Sequence, residues 1–388
     1  MCATSVQSST VYVMRHCSRS TYFPDLEYVD RYKYLANYSD GGPLPSWGVG
    51  PSLCTQRGRK IVMAQGKNLA AEFQARTSSA PLKVVFDAGA TRDNTTAHDF
   101  LAGLGLPESL AHGDAAIFNP QKAGYCPYPT AAEYRGAIAE RLMSVPAPDD
   151  LDDLLSSLQG ALGAGAAPPI SSMKNTISAE GYWIGGIYVA SSWVEAMLLQ
   201  LGAGVPVGYG RVSPELLYRL LKLHVYYRAV NDRGFVVEQR GQSNILAHML
   251  DDLTPVTAPP VPAERATLVE QPPQQDGLMQ AAATSASLYV GHDTQLDGLA
   301  ALLNLTWAAP PYPRDTTPPG AILRLTRTGD GDAAYVEASL LYTSLEDEKG
   351  EMLLAATAFA NGDASMPLAT FEAAVRHSID WSCVRKAR

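Results

Sequence analysis

The chain has 388 residues, 46% of them apolar and 18% charged, the profile of an ordinary soluble globular protein with room for two domains or one large one. Thirty-nine acidic against 30 basic side chains give a net charge of −9, which argues against nucleic acid or an anionic membrane as the main partner; any anion site must be local. No run of about 18 apolar residues marks a membrane span, and the first residues, MCATSVQSST, lack the basic start and apolar middle of a signal peptide.

In chain order, TVYVM (10–14) is a short β-branched run that reads as a buried strand ending at Arg15 and His16. Residues 58–76 place Ile61, Met63, Ala64, Leu69, Ala70 and Phe73 in a helical stripe with a weak glycine inside it. LKVVF (82–86) reads as a second buried strand, and the polar turn after it leads into a helix with Ala97, Phe100, Leu101 and Leu104 on one face. Between 126 and 241 the segments EYRGAIAERLM, LDDLLSSLQGAL, SSWVEAMLLQLG and SPELLYRLLKLHVYYRAV favour helix, the last capped by Ser213 ahead of Pro214. The proline-rich stretch 254–275 reads as a loop or tether, because proline fits neither a helix interior nor a central strand. SLYV (287–290) is a third buried strand, followed by a helix carrying Leu296, Leu299, Ala300 and Leu303. Residues 321–342 read as two strands around a Gly/Asp turn, and 371–381 as a terminal helix.

Three strands therefore end in turns with unusual polar residues: Arg15, His16 and Arg19 after the first, Arg92 after the second, His292 and Asp293 after the third. Ligands of open α/β sheets bind outside the carboxyl ends of the strands, so strands lying side by side would make these groups converge. Arginine's planar fork suits phosphate or carboxylate, and the expected ligand is a small dianion. Any one of these residues alone is more often a surface or capping group; recurrence at three strand ends is what points to a site.

The first of these turns, RHCSRS, offers three nucleophiles. A cysteine phosphatase loop needs an arginine six residues after its cysteine, where Phe23 stands, and no G-x-S-x-G elbow surrounds Ser18 or Ser20. Histidine is the better candidate: imidazole can attack phosphorus and divide one displacement into two. Flanking arginines would stabilise the transferring phosphoryl group and keep the ring neutral, and Asp293 is the acid available to protonate the leaving group.

These residues resemble the histidine acid phosphatases, branch two of the histidine phosphatase superfamily, and especially bacterial periplasmic phytases and glucose-1-phosphatases. RHCSRST is similar to the family's R-H-G-x-R-x-P start and GHDTQL to its H-D-T-N-L turn. TRDNTTAHDFLAGL, FNPQKAGYC, GYGRVSPELLYRLLKLHVYYRAV and TPPGAILRL extend the resemblance over nearly the whole chain. It implies an α/β fold, a central mostly parallel sheet flanked by helices, with residues 1–126 and 242–388 forming the catalytic domain and 127–241 an inserted helical domain. It also implies that Arg15, Arg19, Arg92 and His292 hold the phosphate, that His16 becomes phosphorylated, and that Asp293 is the general acid, with no cofactor or metal. The partner is then a small phosphorylated substrate, a phosphomonoester such as an inositol or sugar phosphate. The resemblance further implies a Cys126–Cys383 disulfide and a secreted or periplasmic location.

Three positions depart from the family. Cys17 stands where the family has glycine, which would crowd the turn and expose an oxidisable thiol; Thr21 replaces proline and Gln295 replaces asparagine. Cys17 motivates a rival reading as a non-catalytic or impaired phosphate-binding protein. A phosphoglycerate mutase-like transferase is disfavoured because that branch lacks the acid at Asp293. The five cysteines contain no Cys-x-x-Cys, which speaks against a zinc knuckle and leaves one disulfide open. A rim for inositol hexakisphosphate should be strongly basic, yet residues 21–47 mix Asp25 and Glu27 with Arg31 and Lys33.

Overall fold

The structure is a computed structural model and describes residues 8–21, 35–42, 44–77, 82–165, 167–254 and 285–385. Asp25, Glu27, Arg31 and Lys33 of the expected rim, and the proline-rich stretch beyond Thr254, lie outside the described residues.

The strands in chain order are β1 (Ser8–Arg15), β2 (Lys83–Phe86), β3 (Ala111–Gly113), β4 (Thr176–Ile177), β5 (Trp183–Ile184), β6 (Ser285–Gly291), β7 (Thr306–Ala308), β8 (Ile322–Thr328), β9 (Tyr335–Tyr342), β10 (Leu353–Ala358) and β11 (Ser365–Pro367). The helices are α1 (Gln56–Arg76), α2 (Thr91–Leu104), α3 (Ala115–Phe118), α4 (Ala131–Ser144), α5 (Leu151–Leu162), α6 (Gly186–Ala203), α7 (Pro214–Asn231), α8 (Phe235–Leu253), α9 (Asp293–Leu303) and α10 (Leu368–Ser378). Among the described residues nine strands form one mixed sheet in the order β3-β2-β6-β1-β8-β9-β10-β7, with β11 beside β9. The half that carries the strand ends of interest, β3-β2-β6-β1, is parallel, and helices flank it. The strands from β8 onward pair antiparallel.

Strand β1 shows why its sequence is apolar without alternation. Val11 and Val13 enter one buried cluster and Tyr12 and Met14 another, so the period-two alternation sends side chains into two cores, one on each face. Each fully buried aliphatic side chain contributes about 1.5–3 kcal/mol relative to exposure. Helix α1 begins at Gln56, two residues before the expected start, because the Thr55 hydroxyl accepts the Gly58 N–H at 3.1 Å. The glycine inside α1 is explained by packing against α2: a Cβ on Gly66 would lie 2.3 Å from the Phe100 carbonyl oxygen. Its unfavourable helix propensity, about 1 kcal/mol relative to alanine, is offset by the close crossing.

Between Gly113 and Ser285 no strand of the main sheet occurs among the described residues; α3 to α8 and the short β4–β5 ribbon fill the interval. Helix α8 has no counterpart in the sequence reading, and residues 241 and 242 lie inside it, so the chain passes the expected domain boundary without a break. Its buried Ile245, Leu246, Met249, Leu250 and Leu253 follow helical spacing and join the same core as β1 and α9. The two strands expected within 321–342 are β8 and β9, and the terminal helix α10 stops at Ser378, short of the expected 381.

Candidate active site

Register brings the strand ends together. β1 and β6 pair in parallel with Arg15 opposite Gly291, and β2 pairs with β6 with Phe86 opposite Val290, so the three carboxyl ends lie side by side at one level. The backbone ladder continues past them: His16 N–H donates to Gly291 O at 2.8 Å and Asp87 N–H to Val290 O at 3.0 Å. Arg15, His16, Arg19, Arg92, His292 and Asp293 are thereby gathered from three separate stretches of sequence.

His16 is 1% exposed and its ring meets that of His292 edge-on, 5.4 Å between centroids. Its Nδ1 lies 2.8 Å from the Cys17 carbonyl oxygen. A carbonyl only accepts, so Nδ1 carries the proton and Nε2 holds the lone pair. Burial, followed by the positive charges of Arg92 and its neighbours, drives the His16 pKa well below its ordinary value, leaving a neutral nucleophile even in mild acid.

Arg15 donates to the Thr317 carbonyl oxygen and pairs with Asp293 at 2.8 Å and with Glu195 at 3.5 Å. Arg19 reaches the same Glu195 carboxylate at 3.2 Å. Burial alone would raise the Asp293 pKa, but the guanidinium charges of Arg15 and Arg228, with Arg19, outweigh it and hold this carboxyl well below the usual range. Behind it, Arg228 and Arg233 clamp Asp297 at 2.6 and 2.8 Å, fixing the start of α9. Glu195 was not singled out from sequence. The available clue was an acid in the otherwise apolar run SSWVEAMLLQLG of α6.

Arg92 sits in the first turn of α2 and hydrogen-bonds the Nε2 of His292. The other ring nitrogen faces Asp93 at 3.4 Å and Asp87 at 3.8 Å. Burial, with Arg92 next, pushes the His292 pKa down to about 3. Gln295, in place of the family asparagine, accepts the His292 backbone N–H at 2.7 Å and so holds the head of α9. Asp87, Arg92, Asn119, Lys122 and His292 line a cleft of about 310 Å³. Ligand atoms of His16, Asp93 and His292 lie within 4.8 Å of one another, but Arg15, Arg19 and Arg92 around them favour an anion over a cation. A larger hollow of about 720 Å³ lies at the start of α1; its Arg57 and Lys60 pair with Glu348 at 3.6 and 3.4 Å, which leaves it nearly charge-balanced.

The expected exposed thiol is absent. Cys17 is bonded to Cys54, both are buried, and the Cys17 side chain packs in the apolar cluster with Tyr12 and Met14 instead of crowding the turn. The crosslink ties the turn after β1 to the segment before α1, where Thr55 N–H also donates to Ser18 O at 2.9 Å. A second bond joins Cys126 to Cys383, so the described residues carry two disulfides where the cysteine count left one open. The Cys17–Cys54 bond spans 37 residues, so its removal in a Cys17→Ser, Cys54→Ser double variant should cost about 2–4 kcal/mol of unfolding free energy. Denaturant unfolding that gives equal midpoints for variant and parent would show that the crosslink is not stabilising.

No protein-family model matches the chain. In sequence it is 26% identical over 348 residues to phytase AppA of Escherichia coli K12, which covers 78% of this chain and 74% of that protein. In structure it is similar to the Hafnia alvei phytase in complex with myo-inositol hexakis sulphate, with TM-score 0.78 and 21% identity over 99% of this chain and 100% of that one. The phytase of Klebsiella sp. ASR1 matches with TM-score 0.76 and 19% identity over 98% of each chain.

Proposed function

We propose that this chain, similar in sequence to one bacterial phytase and in fold to others, is a phosphoric monoester hydrolase of the histidine acid phosphatase type. The observation that carries the reading is the meeting of Arg15, His16, Arg19, Arg92, His292 and Asp293 at three adjacent parallel strand ends.

In the proposed scheme the phosphoryl group engages Arg15, Arg19, Arg92 and His292, the last two of which line the cleft. The His16 Nε2 lone pair attacks phosphorus, a P–N bond forms, and the P–O bond to the alcohol breaks. The departing oxygen takes a proton from Asp293. Water then attacks the phosphohistidine, gives a proton back to the Asp293 carboxylate, and releases inorganic phosphate and free His16. Asp293 is ionised in the free protein through Arg15 and Arg228, so it gains its proton only when the phosphate dianion competes for Arg15 and adds negative charge beside it. Phytate and sugar phosphates are the substrates we place first; Lys122 on the cleft wall adds a cation beyond Arg92 for an ester bearing more than one phosphate. We also read residues 127–241 as an inserted helical domain on residues 1–126 and 242–388, a division supported by the run of helices between β3 and β6, with α8 crossing its second boundary.

Trapping the intermediate tests the reading. Radiolabelled p-nitrophenyl phosphate quenched into alkaline detergent should leave label on His16 that survives base and is released by acid, the behaviour of a P–N bond. Turnover that yields acid-stable label would overturn the histidine mechanism. Saturable binding of inorganic phosphate without hydrolysis of any phosphomonoester would make the protein a binder.

A further inference from the structure

The proposed scheme leaves one buried acid unused. Asp93, in the first turn of α2 directly after Arg92, has a fully buried side chain, and neither carboxylate oxygen has a hydrogen-bond partner among the described residues. A buried polar group without partners is costly and calls for an explanation. Its Oδ2 faces His292 Nδ1 at 3.4 Å, an ion-pair distance without a made hydrogen bond. The opposite nitrogen, Nε2, contacts Arg92. A guanidinium only donates, so Nε2 accepts in the free protein and the ring proton sits on Nδ1, toward Asp93. A phosphate oxygen also only accepts. His292 can therefore grip phosphate through Nε2 only by gaining a proton there.

We propose that Asp93 is a positioning residue for phosphate binding: it and His292 hold one exchangeable proton between them, and the arriving dianion moves that proton onto His292 Nε2. This inference rests on the phosphomonoesterase reading. At rest the pair is a carboxylic acid beside a neutral ring protonated at Nδ1. With phosphate bound it is a carboxylate beside an imidazolium that donates through Nε2, so one proton has left Asp93 and one has joined the ring. Burial first, then the carboxylates of Asp87 and Asp293, push the Asp93 pKa up to about 8 against the opposing pull of Arg92 and Arg19, so the proton is in place in mild acid. The groups facing the pair are Arg92 on α2, Asp87 after β2, His16 and Arg19 after β1, and Asp293 and the Gln295 side chain on α9.

The test compares the whole protein with its Asp93→Asn variant, which keeps the size of the side chain and cannot hold the proton, and with Asp93→Ala. Asp93→Asn should raise KM for p-nitrophenyl phosphate and the dissociation constant of inorganic phosphate by about tenfold, with a smaller change in kcat, as expected for a lost charge-assisted donor. The alkaline limb of kcat/KM should move to lower pH. Without Asp93 the proton must reside on His292 alone, whose free-protein affinity for it is low. Melting temperature reports folding separately. Unchanged KM, phosphate affinity and pH limb in Asp93→Asn would overturn the proposal, as would losses in both variants that follow their melting temperatures with no movement of the limb. If the parent protein hydrolyses nothing, the phosphatase reading has failed, and calorimetric titration with inorganic phosphate still decides the role of Asp93: equal affinity in parent and Asp93→Asn refutes it.

Discussion

His16→Ala is expected to lower kcat for p-nitrophenyl phosphate by about 10³-fold or more while leaving the protein folded, because it removes the atom that forms the covalent bond. The structure makes this residue hard to replace. The ring is held by the Cys17 carbonyl so that Nε2 carries the lone pair, and burial and the surrounding guanidinium groups keep it unprotonated. A neighbouring water could still attack a phosphate gripped by the arginines, so a small residual rate is compatible with the mechanism. Steady-state kinetics alongside thermal unfolding checks the prediction. A folded His16→Ala protein with parental kcat would remove His16 from the chemistry and with it the phosphohistidine.

Asp293→Asn should separate substrates by leaving group. For an alkyl phosphate such as glucose 1-phosphate the loss in kcat should be about 10²–10⁴-fold, the usual contribution of a general acid, whereas p-nitrophenyl phosphate should lose about tenfold at most. The difference arises because p-nitrophenolate is stable without a proton and an alkoxide is not. The pH dependence carries a sign as well. Phosphate bound to Arg15 raises the Asp293 pKa from its depressed free-protein position, so kcat for the alkyl ester should fall as pH rises through the value in the complex. That fall should vanish in Asp293→Asn. Equal losses for both substrates, in a variant whose melting curve matches the parent, would instead mark Asp293 as a residue that orients Arg15.

How far the sequence reaches differs from residue to residue. Strands β1, β2 and β6 were legible because each is a short run buried on both faces, and the polar residues that interrupt such a run at its end stand out. Helix α7 was legible from Ser213 and Pro214 at its start. Helix α8 was not: its first residues, FVVEQRGQSN, include a glycine and several polar groups, and what holds it is contact with α9 and the sheet, which local propensity does not contain. Cys17 illustrates a different limit. Its departure from the family glycine was visible, but its partner Cys54 lies 37 residues away, and only the approach of the α1 start to the first turn makes the pairing geometrically possible.

By itself the sequence determined the inventory of the candidate site: Arg15, His16, Arg19, Arg92, His292 and Asp293, each placed after a buried strand, because strand periodicity and its interruption are local properties of the chain. The tertiary structure alone decided which groups stand behind them. Glu195 from α6 holds Arg15 and Arg19, Arg228 from α7 flanks Asp293, and Asp93 is turned from a helix-start acid into the buried neighbour of His292. Charge state and tautomer follow from distances between residues as far apart in the chain as Arg92 and His292 or Arg15 and Asp293, and those distances exist only once strands and helices have packed.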